Sequence, residues 1–288
     1  MIVSIASGKG GTGKTLVATS LALSLKDKYQ VQLLDCDVES PNDHIFLKPV
    51  ITSQEAVCIP VPEVDEVKCT HCGQCAEVCA YNAIAVLPNR VIVLPELCHG
   101  CGACSHLCPE KAISETGREM GVVEPGHADG IEVVQGRLTI GEAMATPVIR
   151  QVKEKANSNS VVIIDVPPGT SCPVVESIKG SHFCLLVTEP TPFGLNDLTL
   201  AVETVRELDI PLAVVLNRVG VGDNKVAEYC RKENMPILLT IPLDSGIARL
   251  YSKGISLAEG RAEWRERFIE LFHKIEEMID EGTGSLKR

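Results

Sequence analysis

The sequence predicts an α/β protein built on a doubly wound, mainly parallel sheet, with a small α+β domain inserted into it. Short runs rich in Val, Ile and Leu alternate with stretches of helical spacing. A central segment, Pro60 to Ser114, breaks that rhythm with Cys, Pro and Gly before a strand pattern resumes at Val161. The 288 residues are many for one ordinary domain and few for three, so a core of residues 1–59 and 115–288 carrying an insert at 60–114 is the expected division. Apolar residues make up 45% and aromatics only 3%, which requires a core of aliphatic side chains, as in strands covered on both faces.

Ile2 to Ala6 reads as the first strand, and Leu16 to Leu25 as the helix after a glycine-rich loop. Val31 to Leu34 is a second strand ending at Asp35-Cys36-Asp37, and Pro41-Asn42 marks the loop after it. Val161 to Ile164, Phe183 to Val187, Leu212 to Leu216 and Ile237 to Ile241 are further strands, separated by helical patterns near 195–208, 224–233 and 246–252. Arg261 to Glu281 carries Trp264, Phe268, Leu271, Phe272, Ile275 and Ile279 on one stripe. Acids outnumber bases on its polar side, so packing on the sheet is expected rather than a membrane surface. The end, Gly282 to Arg288, is expected to fray.

A net charge of -11 argues against a role that neutralises nucleic-acid phosphates, although a local site can still bind a nucleotide. No apolar run approaches the roughly 18 residues of a membrane span, and Met1 to Ser7 lacks the features of a signal peptide, so a cytoplasmic protein is expected. Thirteen cysteines in such a chain point to metal or redox chemistry before disulfides.

Gly8-Lys9-Gly10-Gly11-Thr12-Gly13-Lys14-Thr15, between a strand and a helix, is a phosphate-binding loop in the context that supports it. The glycines let backbone N–H groups converge on phosphate, Lys14 reaches the β and γ phosphates of ATP, and the Thr15 hydroxyl ligates Mg2+. Asp165, ending an apolar strand, is placed to hold the Mg2+ hydration shell, and Asp37 to orient or deprotonate the attacking water.

Lys9 is a cation that an ordinary phosphate loop does not require. With it, the loop resembles the deviant Walker A motif of the MinD/ParA/Mrp class of P-loop ATPases, in which this lysine reaches across a homodimer to the partner's phosphates. Asp35-Cys36-Asp37 with Pro41-Asn42 is similar to the switch I of that class, and Asp165 with Pro167-Pro168-Gly169 to its Walker B and switch II. Asn217-Arg218 is similar to the segment whose asparagine reads adenine. The resemblance implies an ATPase with ATP or ADP and Mg2+ as cofactors and an ATP-promoted homodimer, with Lys9, Lys14 and Asp37 catalytic.

Cys69-x2-Cys72-x2-Cys75-x3-Cys79 and Cys98-x2-Cys101-x2-Cys104-x3-Cys108-Pro109 repeat the bacterial ferredoxin spacing twice. In that arrangement three thiolates of one loop surround a cubane and the fourth goes to the other cluster. One [4Fe-4S] cluster is expected on Cys69, Cys72, Cys75 and Cys108, the other on Cys98, Cys101, Cys104 and Cys79. Zinc is the alternative, since paired CxxC motifs also hold it. The insert resembles a bacterial-type dicluster ferredoxin domain, with Ala80 where the first motif usually has proline. His71, His99 and His106 read as supporting or surface residues.

Two functions follow. The first is an ATPase whose nucleotide state governs electron transfer through two permanent clusters to an unidentified redox partner. The second is a carrier that delivers clusters to an apo-iron-sulfur protein, and tight ferredoxin-type ligation favours the first. A positioning ATPase is a third, disfavoured by the acidic charge and the absence of a basic amphipathic tail. Cys172, seven residues after Asp165, resembles the cluster-bridging cysteine of the nitrogenase iron protein in its spacing; a small residue near the dimer interface is the preferred reading.

Overall fold

The computed structural model describes residues 1–220 and 222–285. Strand β1 (Ile2–Ala6) runs up the middle of a 10-stranded sheet and hands the chain to α1 (Lys14–Leu25). Every residue of α1 is buried, so the helix shows no polar face. Its hydroxyls stay satisfied internally: Thr19 and Ser24 donate to carbonyls one turn back, and Ser20 accepts from Leu257 N.

The chain then forms β2 (Val31–Asp35), α2 (Asp43–Leu47), the short β3 (Val50–Ile51) and the long β4 (Glu55–Val64). A small unit follows, made of α3 (Gln74–Val78), the hairpin β5 (Ile84–Leu87) and β6 (Arg90–Val93), and α4 (Ala103–Leu107). Strand β7 (Ile113–Ala128) returns to the sheet and turns into β8 (Ile131–Leu138). Next come α5 (Thr146–Glu154), β9 (Val161–Asp165), α6 (Cys172–Ile178), β10 (Phe183–Thr188), α7 (Pro192–Glu207), β11 (Leu212–Val219), α8 (Lys225–Lys232), β12 (Ile237–Pro242), α9 (Ser245–Ser252), α10 (Leu257–Gly260) and α11 (Ala262–Ser285). The last helix thus continues past Glu281, where fraying was expected, and residues 286–288 lie outside the described residues.

The strand order is β12-β11-β10-β1-β9-β2-β8-β7-β3, with β4 also paired to β7. The strands from β12 to β8 are mutually parallel, as the alternating pattern predicts; β7, β3 and β4 form an antiparallel extension. One face is covered by α1, α10 and α11, where Trp264, Phe268, Leu271, Phe272 and Ile275 are buried as the stripe predicts. The other face is covered by α5, α6 and α7. Chain order reverses on either side of β1, so a crevice opens at the carboxyl ends of β1 and β9, where α/β sheets bind ligands.

The antiparallel extension was not legible in the sequence. Pro60 and Pro62 lie inside β4, and proline ordinarily argues against a strand. Both are tolerated because β4 pairs only with β7, so the side lacking N–H groups faces away from the ladder. That ladder runs from Glu55↔Val123 to Val64↔Ile113, across the divisions drawn at 60 and 114, and the small unit projects from its far end.

Candidate functional site

The crevice beside β1 is assembled by buried polar contacts. Gly13 enters α1 at φ 99°, a left-handed conformation that suits glycine, and a Cβ there would lie 2.3 Å from Asn217 Nδ2. Gly8 has no room for a side chain either, since its Cβ would sit 2.0 Å from the Asp197 carbonyl oxygen on α7. Gly10, Gly11 and Thr12 complete the loop between these two fixed points. Asn217, at the end of β11, donates from Nδ2 to Thr12 O at 2.7 Å and accepts from Arg218 N at 2.8 Å. The structure therefore brings the loop and Asn217 together, as expected.

Lys14 and Thr15 are buried at the start of α1. The Thr15 hydroxyl donates to Asp165 Oδ2 at 2.6 Å, joining the two residues assigned to magnesium. Asp165 Oδ1 is buried without a partner. Burial pushes the Asp165 carboxyl up to about 6 although the Lys14 charge and the Thr15 hydrogen bond pull it down. Asp35 accepts from the N–H groups of Asp37, Asn42 and Asp43 and so folds the following loop around itself. Burial raises Asp37 as well, against the pull of Lys14, which places Asp37 in the same electrostatic cluster.

Sequence reasoning missed Asp43. It is 0% exposed, and neither carboxylate oxygen has a hydrogen-bond partner. Burial, then the Asp35 and Asp165 charges, holds it well above the usual carboxylate range. It directly follows Pro41-Asn42 and opens α2. Asp165 and Asp43 each keep a buried carboxylate oxygen without a hydrogen-bond partner, hard oxygen donors of the kind a divalent cation takes.

A cavity of about 710 Å3 opens next to the loop, lined by Gly11, Gly13, Asn217, Arg218, Leu243 and Tyr251 among others. Lys9 turns away from it. Its ammonium pairs with Glu189 at 2.5 Å, and Arg218 pairs with the other Glu189 oxygen at 2.9 Å. Burial would raise Glu189, but the Lys9 hydrogen bond and charge, with Arg218, hold it below the usual carboxylate range.

The eight spaced cysteines form two further groups. Cys69, Cys72, Cys75 and Cys108 line one small cavity; Cys79, Cys98, Cys101 and Cys104 line another. These are the crossed sets expected from spacing. The two halves repeat each other closely. His71 N and Gly100 N each donate to a first-cysteine sulfur, Cys69 or Cys98, at 3.4 Å. Ala83 N and Ala112 N each donate to a last-cysteine sulfur, Cys79 or Cys108, at 3.2 and 3.3 Å. Among the described residues no three His, Cys, Asp or Glu side chains are grouped tightly enough to share one metal ion. Of the three histidines, His71 faces Glu66 at 3.2 Å and His99 stacks on Tyr81. Cys172 is exposed at the start of α6.

Residues 3–257 match the family model described as the CobQ/CobB/MinD/ParA nucleotide binding domain. The chain belongs to that family. It is a P-loop ATPase of the MinD/ParA type, with the phosphate loop and Asp165 in the crevice where the fold places them. An uncharacterized protein of Methanocaldococcus jannaschii is 31% identical, with 97% of this chain and 98% of that protein aligned. An iron-sulfur cluster carrier protein of Pyrococcus abyssi is 24% identical over 99% of this chain and 89% of its own length. The septum site-determining protein MinD from Pyrococcus horikoshii, solved with Mg-ADP, shares the fold at TM-score 0.60 and 18% identity, covering 96% of each chain. No helix among the described residues is long and apolar enough to cross a membrane.

Proposed function

We propose that the chain is an ATPase whose nucleotide state governs electron transfer through two resident [4Fe-4S] clusters to a separate redox protein. The observation that supports this best is the pair of four-thiol cavities carried on strands of the nucleotide-binding sheet itself. In this reading residues 60–114 are a ferredoxin-type insert, and the clusters, when bound, supply one-electron chemistry. Cys69, Cys72, Cys75 and Cys108 hold one and Cys79, Cys98, Cys101 and Cys104 the other.

At the crevice, the backbone of Gly8 to Thr15 cradles the ATP phosphates, and Lys14 neutralises charge that develops on the γ-phosphate. Thr15 and Asp165 hold Mg2+, which spreads that charge further. Asp37 orients the attacking water and takes its proton. Asn217 and Tyr251 line the cavity that would take the base. Lys9 completes the site only after leaving Glu189 to meet the phosphates of a second copy, which makes the homodimer the hydrolytic form and hydrolysis slow.

Anaerobic purification tests the reading. About eight irons and eight sulfides per chain are expected, and copurification with and without a nonhydrolysable ATP analogue is expected to capture a redox protein in one nucleotide state. One or two zinc ions with negligible sulfide would overturn it. A second reading, cluster delivery, is favoured by relatives named iron-sulfur cluster carrier protein, such as that of Pyrococcus abyssi. Loss of clusters from this chain to an apo-protein, with ATP controlling release, would put that reading first.

A further inference from the structure

The two thiol cavities are not placed alike with respect to the nucleotide crevice. The first is lined by Val64 and Ile113, at the outer end of the β4–β7 ladder. The second is lined by Pro60, Pro62 and Glu115, farther back along it. Gly100, between Cys98 and Cys101, packs so closely on β4 that a Cβ there would meet Pro60 Cδ at 3.0 Å and Ile59 Cβ at 3.2 Å. Cys98 Sγ lies 4.0 Å from Pro60 O. The second cavity is therefore seated along β4, whereas the first meets the ladder only at its last pair, Val64 and Ile113.

From β4 the contacts lead through β7 and β8 to the loop after Asp37, past a register shift between Val57 and Cys58, where Val57 pairs with Gly121. Ile59 pairs with Arg118 and Cys58 with Glu119 on β7, and Gly121 of β7 pairs with Leu138 of β8. Leu138 N donates to Val38 O at 2.8 Å, and Val38 directly follows Asp37. The Val38 side chain is buried against Gly136, where an added Cβ would lie 2.5 Å from Val38 Cγ1. Cys36, Val38, Val57, Ile59, Val61, Ala83, Cys98 and Met120 belong to one continuous apolar cluster. Dense packing of this kind transmits a shift instead of absorbing it.

We propose that this path couples the crevice to the second cavity: a nucleotide-driven shift of Val38 displaces β8, β7 and β4 and moves the loop holding Cys98, Cys101 and Cys104. The outer cavity, off this path, keeps its geometry in both nucleotide states and faces the external partner. The inference rests on the reading of the crevice as the ATP site and of the cavities as cluster sites. It adds which of the two clusters the nucleotide reaches and through which residue. P-loop enzymes reorder the segments that face the γ-phosphate between their nucleotide states, which provides the displacement.

Amide hydrogen exchange on the full, cluster-loaded chain tests it, with Mg-ADP or a nonhydrolysable Mg-ATP analogue bound. Exchange at Leu138, in 55–64 and in 98–104 is expected to differ between the states by about fivefold or more, with 69–75 unchanged. Val38→Ala is expected to bind the analogue normally and to lose that difference. Equal exchange in both states for the wild type, or a difference that survives Val38→Ala, would overturn the path. Iron, sulfide and bound nucleotide measured on the same samples separate the failures. Normal iron and nucleotide with no exchange difference overturn the coupling alone, whereas a difference at Leu138 and in 55–64 in a chain that holds no iron overturns the cluster reading and leaves the path through β8, β7 and β4 standing.

Discussion

The nucleotide crevice and the cysteine unit are held together by different physics. Around the crevice, β1, β2 and β9 are buried almost throughout, and α1 lies between the sheet and α10 and α11. Polar groups there are locked by hydrogen bonds such as Thr15 to Asp165 and Asn217 to Thr12 before any ligand arrives. In residues 65–112 only Ala83, Ile84, Cys98, Cys104 and Ala112 are buried, and the regular structure is one small hairpin, two five-residue helices and a three-residue 3-10 turn at Pro95–Leu97. So little apolar burial cannot offset the conformational entropy of ordering the segment. On the proposed reading the unit takes the rest of its core from the clusters its cysteines would bind. The crevice would then be preorganised for its ligand and the cysteine unit organised by it.

The largest effect expected from that difference follows metal removal. Stripping iron with a chelator under anaerobic conditions is expected to abolish amide protection throughout 65–112 while β1, β9 and β10 keep theirs. A unit that stays protected without iron would erase the contrast. At the crevice the corresponding change is Lys14→Ala, expected to abolish ATP binding with the fold and iron content unchanged. Asp37→Ala is milder: binding is retained, and hydrolysis falls by about 10²- to 10⁴-fold, the usual contribution of a proton-transfer residue. Equal hydrolysis by wild type and Asp37→Ala, measured by phosphate release, would remove Asp37 from the site.

A packing mutation sharpens the comparison from the other side. Phe268 on α11 is fully buried in the cluster under the sheet. Phe268→Ala is expected to cost the core about 3–5 kcal/mol in denaturant unfolding. Because the cysteine unit does not draw on that cluster, iron and sulfide per folded chain are expected to stay at wild-type levels. Parallel loss of both would show the two regions to be one cooperative unit.

How much of this was legible in the sequence follows the same division. The phosphate loop, Asp165 and the crossed cysteine sets could be read because each depends on residues at short, fixed spacing. The parallel strands were legible because burial on both faces demands an unbroken aliphatic run. The antiparallel extension escaped because β4 carries Pro60 and Pro62 in an edge position, and β7 is broken up by Gly117, Gly121, Pro125 and Gly126. Asp43 escaped because its burial beside Asp35 depends on a backbone hydrogen bond, which no spacing reveals. Glu189 escaped in the same way: its partners Lys9 and Arg218 come from distant parts of the chain and meet only in the fold.

The smallest effect concerns Cys172, which belongs to neither region's ligand set. It opens α6 just after Pro167-Pro168-Gly169, and Gly169 N is bonded to Ser7 O beside the phosphate loop. The thiol is exposed, so a water-soluble maleimide can reach it in the nucleotide-free chain. Lys9 stands on the same rim of the crevice, held by Glu189, and the proposed ATP-bound homodimer covers that rim with a second copy. Labelling of Cys172 in the cluster-loaded protein is then expected to slow when ATP is added to Asp37→Ala, the variant that binds without hydrolysing. On the proposed reading the spaced cysteines are ligands and do not compete for the reagent, and Cys172→Ser marks the background from Cys58, which is also exposed. A rate unchanged by ATP would place Cys172 off the interface. Slowing in Asp37→Ala that disappears when Lys9→Ala is added would tie the protection to the lysine that leaves Glu189, and so to dimer formation instead of a local movement of α6.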